Sequence, residues 1–320
     1  MRTLLRLATA AMRIIGVVLI ILLLEISLVE AQEVSIKKER ASFRLPDGVE
    51  LSGELYRPKA DGKFPAVLVL HGAGGFDDEI VEKAKNLARQ GWVTVAYARR
   101  GYPLTGGTAP DRQVAREIMK NSDDVKVVAE QTRELPFVDA SRLGVLGFSE
   151  GGLHAFIASY RVPRLKAVVG IGGIPDFVAH YQWVVQNFAN FPVPWTKTSA
   201  EGIVQAFGCH PKDCPNRYEA VSAYHNVDKV ASPVMIIHGR QDLWASFDAA
   251  SRFAEALKTA GKLQEFHAYD EGHYMYAFTM PDWYYARGPF SDWVRPQFWS
   301  KKNAKDAWEK IVAFFMTNLK

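Results

Sequence analysis

Residues 143–152 read Leu143-Gly144-Val145-Leu146-Gly147-Phe148-Ser149-Glu150-Gly151-Gly152. The apolar run Leu143–Leu146 predicts a buried strand, and the stretch from Glu150 to Tyr160 predicts a helix. Between them, Gly147-x-Ser149-x-Gly151 suits a serine on a sharp strand-to-helix turn, its Oγ exposed and its flanking glycines admitting neighbouring backbone. A helix that begins at Glu150 aims free N–H groups and a positive dipole end at that serine, which favours a developing oxyanion. The bare motif is common by chance. Its setting between an apolar strand and a helix gives it weight.

Outward from this turn the pattern is regular. Residues 34–45 and 49–58 read as an antiparallel hairpin about Pro46-Asp47-Gly48. Strands follow at 64–70, 92–98, 143–146, 167–171, 233–238 and 264–269, with helices near 79–90, 111–133, 150–160, 247–260 and 303–319. Continuous apolar strands alternating with amphipathic helices predict an open α/β domain, its mostly parallel sheet covered on both faces. Residues 175–231 and 274–300 break the alternation. Both are rich in aromatic residues, and both follow strand ends, the side on which open α/β sheets bind ligands. The first is far longer than an ordinary connection. These stretches are expected to form a helical, aromatic-rich cap and a second insertion, each packing on itself while shaping a pocket. Tyr181 and Trp183 of the first, and Tyr102 of Arg99-Arg100-Gly101-Tyr102, are the candidate substrate contacts.

A serine hydroxyl is a weak nucleophile without a base and an orienting acid. On this architecture the order along the chain is serine, acid, histidine. Asp242 lies just beyond the strand Pro233–His238, and His273 just beyond the next strand. The expected roles are Ser149 as nucleophile, His273 as general base and then general acid, and Asp242 as the group that orients the imidazole. Asp270 and Asp248 are the competing carboxylates. Among the other histidines, His71 and His238 precede glycines and read as loop braces. His267 falls inside a strand, and His154 lies on the helix behind the serine. His180, His210 and His225 fall in the insertion, where exposure is the default. The backbone N–H of Glu150 and that of Ala73, or else Gly74, in His71-Gly72-Ala73-Gly74-Gly75 are the expected oxyanion donors. That loop lacks the G-K-[ST] of a phosphate loop and the G-x-G-x-x-G of a dinucleotide site. The Glu150 side chain reads as a complement to the helix N-terminus. Arg99 and Arg100 read either as scaffold ion pairs or as a contact for a substrate carboxylate.

The 320 residues are 48% hydrophobic and 23% charged, which excludes disorder. Thirty-nine basic against 35 acidic side chains give +4, too even a balance for a nucleic-acid surface. Arg2, Arg6 and Arg13 precede the apolar run Ile14–Leu24, and Val29 and Ala31 offer a small-residue cleavage site. Residues 1–31 are therefore expected to be an export signal, or an uncleaved anchor, leaving 32–320 as the folded chain, periplasmic or secreted. Cys209 and Cys214, the sole cysteines, fit a loop-closing disulfide in an exported protein. They are too close together, and too few, for a tetrahedral zinc site.

The set LVLHGAGG (68–75), YARRGY (97–102), VDASRLGVLGFSEGG (138–152), SPVMIIHGRQD (232–242), DEGHY (270–274) and NAKDAWEKIVAFF (303–315) resembles the α/β-hydrolase superfamily, in its dienelactone hydrolase and prolyl-oligopeptidase-like branch. The resemblance runs through most of 45–173 and 225–320. It implies the α/β-hydrolase fold, a triad on Ser149, Asp242 and His273, and no cofactor. Dienelactone hydrolases proper carry a cysteine nucleophile where this chain has Ser149, and the two insertions match no motif of the family. The expected activity is hydrolysis of a small carboxylic ester with an apolar or aromatic group. The alternatives are a serine peptidase or amidase and, in another class, a non-catalytic binding protein on the same scaffold.

Overall fold

The computed structural model describes residues 34–102, 118–187, 199–242, 244–273 and 301–320. The expected leader, the insertion at 274–300 and residues 188–198 of the first insertion lie outside them. Among the described residues, no helix is long and apolar enough to cross a membrane.

Strands β1 (Ile36–Arg44), β2 (Glu50–Pro58), β3 (Phe64–Leu70), β4 (Val93–Tyr97), β5 (Val138–Phe148), β6 (Leu165–Ile171), β7 (Val234–Gly239) and β8 (Leu263–Tyr269) form one open sheet in the order β1-β2-β4-β3-β5-β6-β7-β8. β1, β2 and β4 pair antiparallel, and all later pairings are parallel. The fold is the expected α/β-hydrolase fold. β5 begins well before the predicted Leu143. Asp139-Ala140-Ser141-Arg142 interrupts the apolar run because Asp139 Oδ1 accepts from both the backbone N–H and the hydroxyl of Ser141. The register against β3 shifts at this point, so the polar residues form an irregular strand start.

Alternate side chains of each central strand enter opposite cores. Leu68, Leu70, Val145, Val168 and Ile236 pack under α2 (Ile118–Arg133), α3 (Glu150–Arg161) and α7 (Phe247–Thr259). Val67, Val69, Leu146, Val169 and Ile237 pack under α1 (Asp78–Arg89) and α8 (Lys301–Asn318). This double covering is why the central strands read as unbroken apolar runs. Between β6 and β7 the chain forms α4 (Phe177–Asn187), α5 (Ser199–Phe207), α6 (Pro215–Glu219) and a 3-10 segment at Ala223–Lys229. Their own small core joins Phe177, Phe207, Tyr218 and Val221 to Leu153 and Ile157 of α3. Phe207 stacks on Tyr218 at 3.9 Å, and Cys209 is disulfide-bonded to Cys214.

Phe156 fixes α3 on β6. Its ring stands where a Cβ on Gly170 would be, 2.3 Å away, and it meets Phe253 of α7 edge-on at 5.2 Å. Phe156→Ala should cost about 3–5 kcal/mol, and Gly170→Ala about 2–3 kcal/mol by overpacking. Together they should be less harmful than their sum, by about 2 kcal/mol, because removing the ring makes room for the methyl group. Urea denaturation of the four proteins measures this coupling, and strict additivity would contradict the packing described.

Candidate active site

The site lies beyond the C-terminal ends of β5, β7 and β8. Ser149 has φ 53° and ψ −117°, a conformation rare for any residue with a Cβ. Its surroundings enforce it. A Cβ on Gly147 would lie 2.0 Å from the Gly151 carbonyl oxygen, and one on Gly151 would lie 2.2 Å from that of Leu70. Only glycines allow this crossing of strand, turn and helix. The Ser149 N–H donates to Ile171 O at 2.8 Å. Serine at a helix N-cap ordinarily turns its hydroxyl back onto the first turn, but Ser149 makes no such bond. Its Oγ lies instead 2.7 Å from His273 Nε2.

The loops carrying Asp242 and His273 are laced together. Arg240 N donates to Tyr269 O, and Gln241 N donates to Glu271 O. Gly239 permits this, since a Cβ there would lie 2.2 Å from Glu271 O. The result places His273 Nδ1 2.8 Å from Asp242 Oδ2. Asp242 Oδ1 accepts from the backbone N–H groups of Trp244 and Ala245, at 2.8 and 2.9 Å. Burial pushes the Asp242 carboxyl up, but His273 and a hydrogen bond from His238 outweigh it and hold it well below the usual range. The carboxylate can only accept, so it places the imidazole proton on Nδ1 and leaves Nε2 to accept from Ser149. Asp270, by contrast, is 80% exposed in its side chain and faces Arg240, and Asp248 sits in the first turn of α7.

The His71–Gly75 loop lies against the serine. A Cβ on Gly72 would come within 3.2 Å of Ser149 Cβ, and Gly75 N closes a tight turn onto Gly72 O. Ala73 and Gly74 occupy the exposed corners of that turn. His71 braces it by donating from Nδ1 to Gly72 O and accepting Arg99 N–H at Nε2. Burial, reinforced by the Arg99 charge, lowers its pKa to about 3, so the ring is neutral.

Glu150 belongs to this loop system. Arg99 Nη1 donates to one of its oxygens at 3.0 Å, and the Tyr102 hydroxyl donates to the other at 3.0 Å. Burial raises this carboxyl, but Arg99 and His154 hold it far below its ordinary range. Arg100 bonds Asp124 and Asp47. Both arginines are therefore scaffold cations, as one of the two sequence readings had it. Tyr102 reaches the site as a partner of Glu150.

The remaining expectations divide. Tyr181 bonds His210 Nδ1 at 3.1 Å in the disulfide loop, and nothing among the described residues joins it to Ser149. Trp183 stacks on His180 at 6.0 Å. His180, expected to be exposed, is buried, because its turn of α4 faces the body of the domain. His210 is exposed. His154 bonds Ser122, and His267 bonds Glu265. Sequence reasoning missed two neighbours of the acid. His238 Nε2 lies 3.3 Å from Asp242 Oδ2, and the Trp244 ring lies 6.4 Å from that of His273. The four-residue spacing of His238 and Asp242 was the available signal.

Glu150→Gln leaves the Arg99 guanidinium, 1% exposed, without its counter-charge. A loss of about 3 kcal/mol is expected. Because the folded carboxyl titrates below its ordinary 4.5, its stabilisation is present above that pH and fades as pH falls through it. The stability gap between native protein and variant, followed by denaturation from pH 7 to 3, should therefore close on the acid side.

Comparison with known proteins agrees with this architecture. Residues 51–319 match the dienelactone hydrolase family. A protein of Methylorubrum extorquens named "Putative carboxymethylenebutenolidase" is 25% identical, over 77% of this chain and 74% of its own length. The structure of an esterase from Pyrococcus furiosus superposes with a TM-score of 0.60 at 18% identity, covering 89% of this chain and 92% of its own. An acylaminoacyl peptidase from Pyrococcus horikoshii superposes at 0.66 and 19% identity, but this chain spans only 43% of its length while 92% of this chain is covered. With a family match across nearly the whole of the described fold, the chain belongs to the dienelactone hydrolase family and is a hydrolase.

Proposed function

We propose that this hydrolase is a serine esterase acting on small carboxylic esters in an exported location. The observation that carries this reading is the unbroken hydrogen-bond chain Asp242–His273–Ser149, ending on an Oγ that its own helix does not use. Ser149 Oγ bonds to the ester carbonyl carbon as its proton passes to His273 Nε2. The carbonyl oxygen becomes an oxyanion facing the N–H of Glu150 and that of Ala73 or Gly74. Collapse breaks the bond to the alcohol, which leaves with the proton from His273. Water, deprotonated by the same imidazole, then cleaves the acyl-enzyme, releasing the acid and restoring Ser149.

Two observations favour esters over peptides. A peptidase that grips a chain terminus needs a free charge near its nucleophile. Among the described residues, the charges beside Ser149, Glu150 and Arg99, are spent on each other. Helix α4, read as part of a cap, carries Phe177, Tyr181 and Trp183 and no Asp, Glu, Lys or Arg, which suits a pocket for apolar esters. The leader residues 1–31 and the disulfide support export.

A fluorophosphonate should label Ser149 alone, and the mature protein should turn over p-nitrophenyl esters but not aminoacyl anilides. Ser149→Ala should lower kcat by about 10⁶-fold, and Asp242→Asn by about 10⁴-fold through loss of the required tautomer. Asp270→Asn should leave the rate unchanged. A folded protein that resists the phosphonate is a binder and not an enzyme, and preferential cleavage of anilides would make it a peptidase.

A further inference from the structure

An oxyanion site needs two backbone N–H groups that converge on one point, and here they come from separate elements. The first is the N–H of Glu150 at the start of α3. Leu153 N donates to Ser149 O at 3.1 Å, so that carbonyl is turned into the helix. A peptide unit is planar and trans, with its carbonyl and N–H pointing in opposite directions. The Glu150 N–H therefore points out of the helix end. The second arm is the Gly72–Ala73 peptide in the loop after β3. A Cβ on Gly72 would lie 3.2 Å from Ser149 Cβ and 3.8 Å from its Oγ, so this arm passes close beside the serine.

Arg99 joins the two arms. Its side chain is 1% exposed, with Nη1 donating to Glu150 Oε1 at 3.0 Å and Nη2 donating to Gly72 O at 3.3 Å. Its backbone is tied to the same loops: Arg99 N donates to His71 Nε2 at 2.9 Å, and Arg99 O accepts from Tyr102 N at 3.0 Å. The Tyr102 ring backs the guanidinium at 4.9 Å. Gly72 O also accepts from His71 Nδ1 at 2.7 Å and from Gly75 N at 3.2 Å. Three donors on one carbonyl fix the plane of the Gly72–Ala73 peptide, and the Ala73 N–H must point away from them. The Gly74 N–H belongs to the next peptide unit, which Arg99 does not hold. Neutralising Glu150 needs only one of the two guanidinium bonds. The bond to Gly72 O answers no charge, and a planar guanidinium keeps its two terminal amines in a fixed fork.

We propose that Arg99 is a positioning residue of the oxyanion hole, its guanidinium spanning the Glu150 carboxylate and the Gly72 carbonyl and so setting the spacing of the Glu150 and Ala73 N–H groups. The role rests on the esterase reading above and deepens it, selecting Ala73 over Gly74 as the second donor. Arg99 acts through these two backbone arms and contacts no substrate atom. The spacing matters more to the tetrahedral oxyanion than to the planar ester. Its loss should therefore lower kcat and leave KM nearly unchanged.

The test compares the native protein with Arg99→Lys, Arg99→Met and the double variant Arg99→Met/Glu150→Gln. Each is assayed with p-nitrophenyl butyrate and with a propyl trifluoromethyl ketone. The ketone adds Ser149 Oγ to its carbonyl carbon, passes the serine proton to His273 and leaves an oxyanion in the same place as the reaction does. Lysine keeps the charge, but its one ammonium cannot span both arms. Arg99→Lys should lower kcat by about 10- to 100-fold with KM within about threefold. The ketone's inhibition constant should rise by the same factor as kcat/KM falls. The double variant removes both members of the buried pair, so its stability to urea should exceed that of Arg99→Met. Its kcat should stay as low as that of Arg99→Met. A native kcat in Arg99→Lys or in the double variant overturns the assignment, because neutralising Glu150 would then suffice. A fall in kcat without the matching loss of ketone affinity also overturns it, since the damage would lie elsewhere than at the oxyanion. Phosphonate labelling of the native protein separates the two readings. Labelled native protein whose Arg99 variants keep their rate refutes only the role of Arg99, and unlabelled native protein refutes the esterase reading itself.

Discussion

The structure turns on one strained residue. Backbone at φ 53° with a side chain attached costs about 1–3 kcal/mol and persists only where its surroundings leave no alternative. Here the alternatives are closed by contact. The carbonyl of Leu70 at the end of β3 presses on Gly151, the carbonyl of Gly151 presses on Gly147, and the Ser149 N–H is tied to Ile171 at the end of β6. Three neighbouring strands and one helix therefore specify a single rotation of the Ser149 backbone. The hydroxyl, diverted from its ordinary capping position, has His273 as its hydrogen-bond partner. Loosening the turn would return Oγ to the helix it now avoids.

Two carboxylates stand close to that serine, and the protein treats them differently. Glu150 follows it directly and is answered by a permanent cation, Arg99, with Tyr102 on the second oxygen. Asp242 is answered by two backbone N–H groups and the His273 ring, with His238 Nε2, bonded to Ala245 O, 3.3 Å from its Oδ2. The first arrangement cancels a charge that would repel a developing oxyanion. The second keeps a charge, desolvated and fully hydrogen-bonded, where it can stabilise an imidazolium. In the proposed mechanism the site needs both, and exchanging the partners would defeat each.

Much of this was legible in the sequence, for identifiable reasons. The central strands are covered on both faces, so Phe64–Leu70 and Pro233–Ile237 had to be apolar throughout and were easy to read. The order of Ser149, Asp242 and His273 follows from topology, because successive parallel strands deliver their C-terminal ends to one side of the sheet. The strand start at Val138 was hidden by Asp139, which accepts the Ser141 N–H and pairs with Arg142, so the stretch looks like a loop. His180 was misplaced because exposure was inferred from its belonging to an insertion, when the burial of a helical residue is set by the face it shares with Phe177 and Val184. The pairing of Arg99 with Glu150 joins residues far apart in sequence, and no local pattern could choose it over a substrate carboxylate.

The segment between β6 and β7 does not pack as an independent unit. Phe177, Phe207 and Tyr218 rest on Leu153 and Ile157 of α3, the helix that starts at the proposed nucleophile. The disulfide closes a short loop between α5 and α6, which lowers the entropy of the unfolded segment by an amount worth about 2 kcal/mol. The hydroxyl of Tyr181 anchors α4 to that loop through His210. The helix that carries His180 and Trp183 is thus referenced to the same base as Ser149. A pocket wall built on a separate hinge would let the substrate shift against the nucleophile by the amplitude of the hinge. On the proposed reading, a wall seated on α3 moves with Ser149, and in a reaction governed by approach distances of about 3 Å that shared seat preserves alignment.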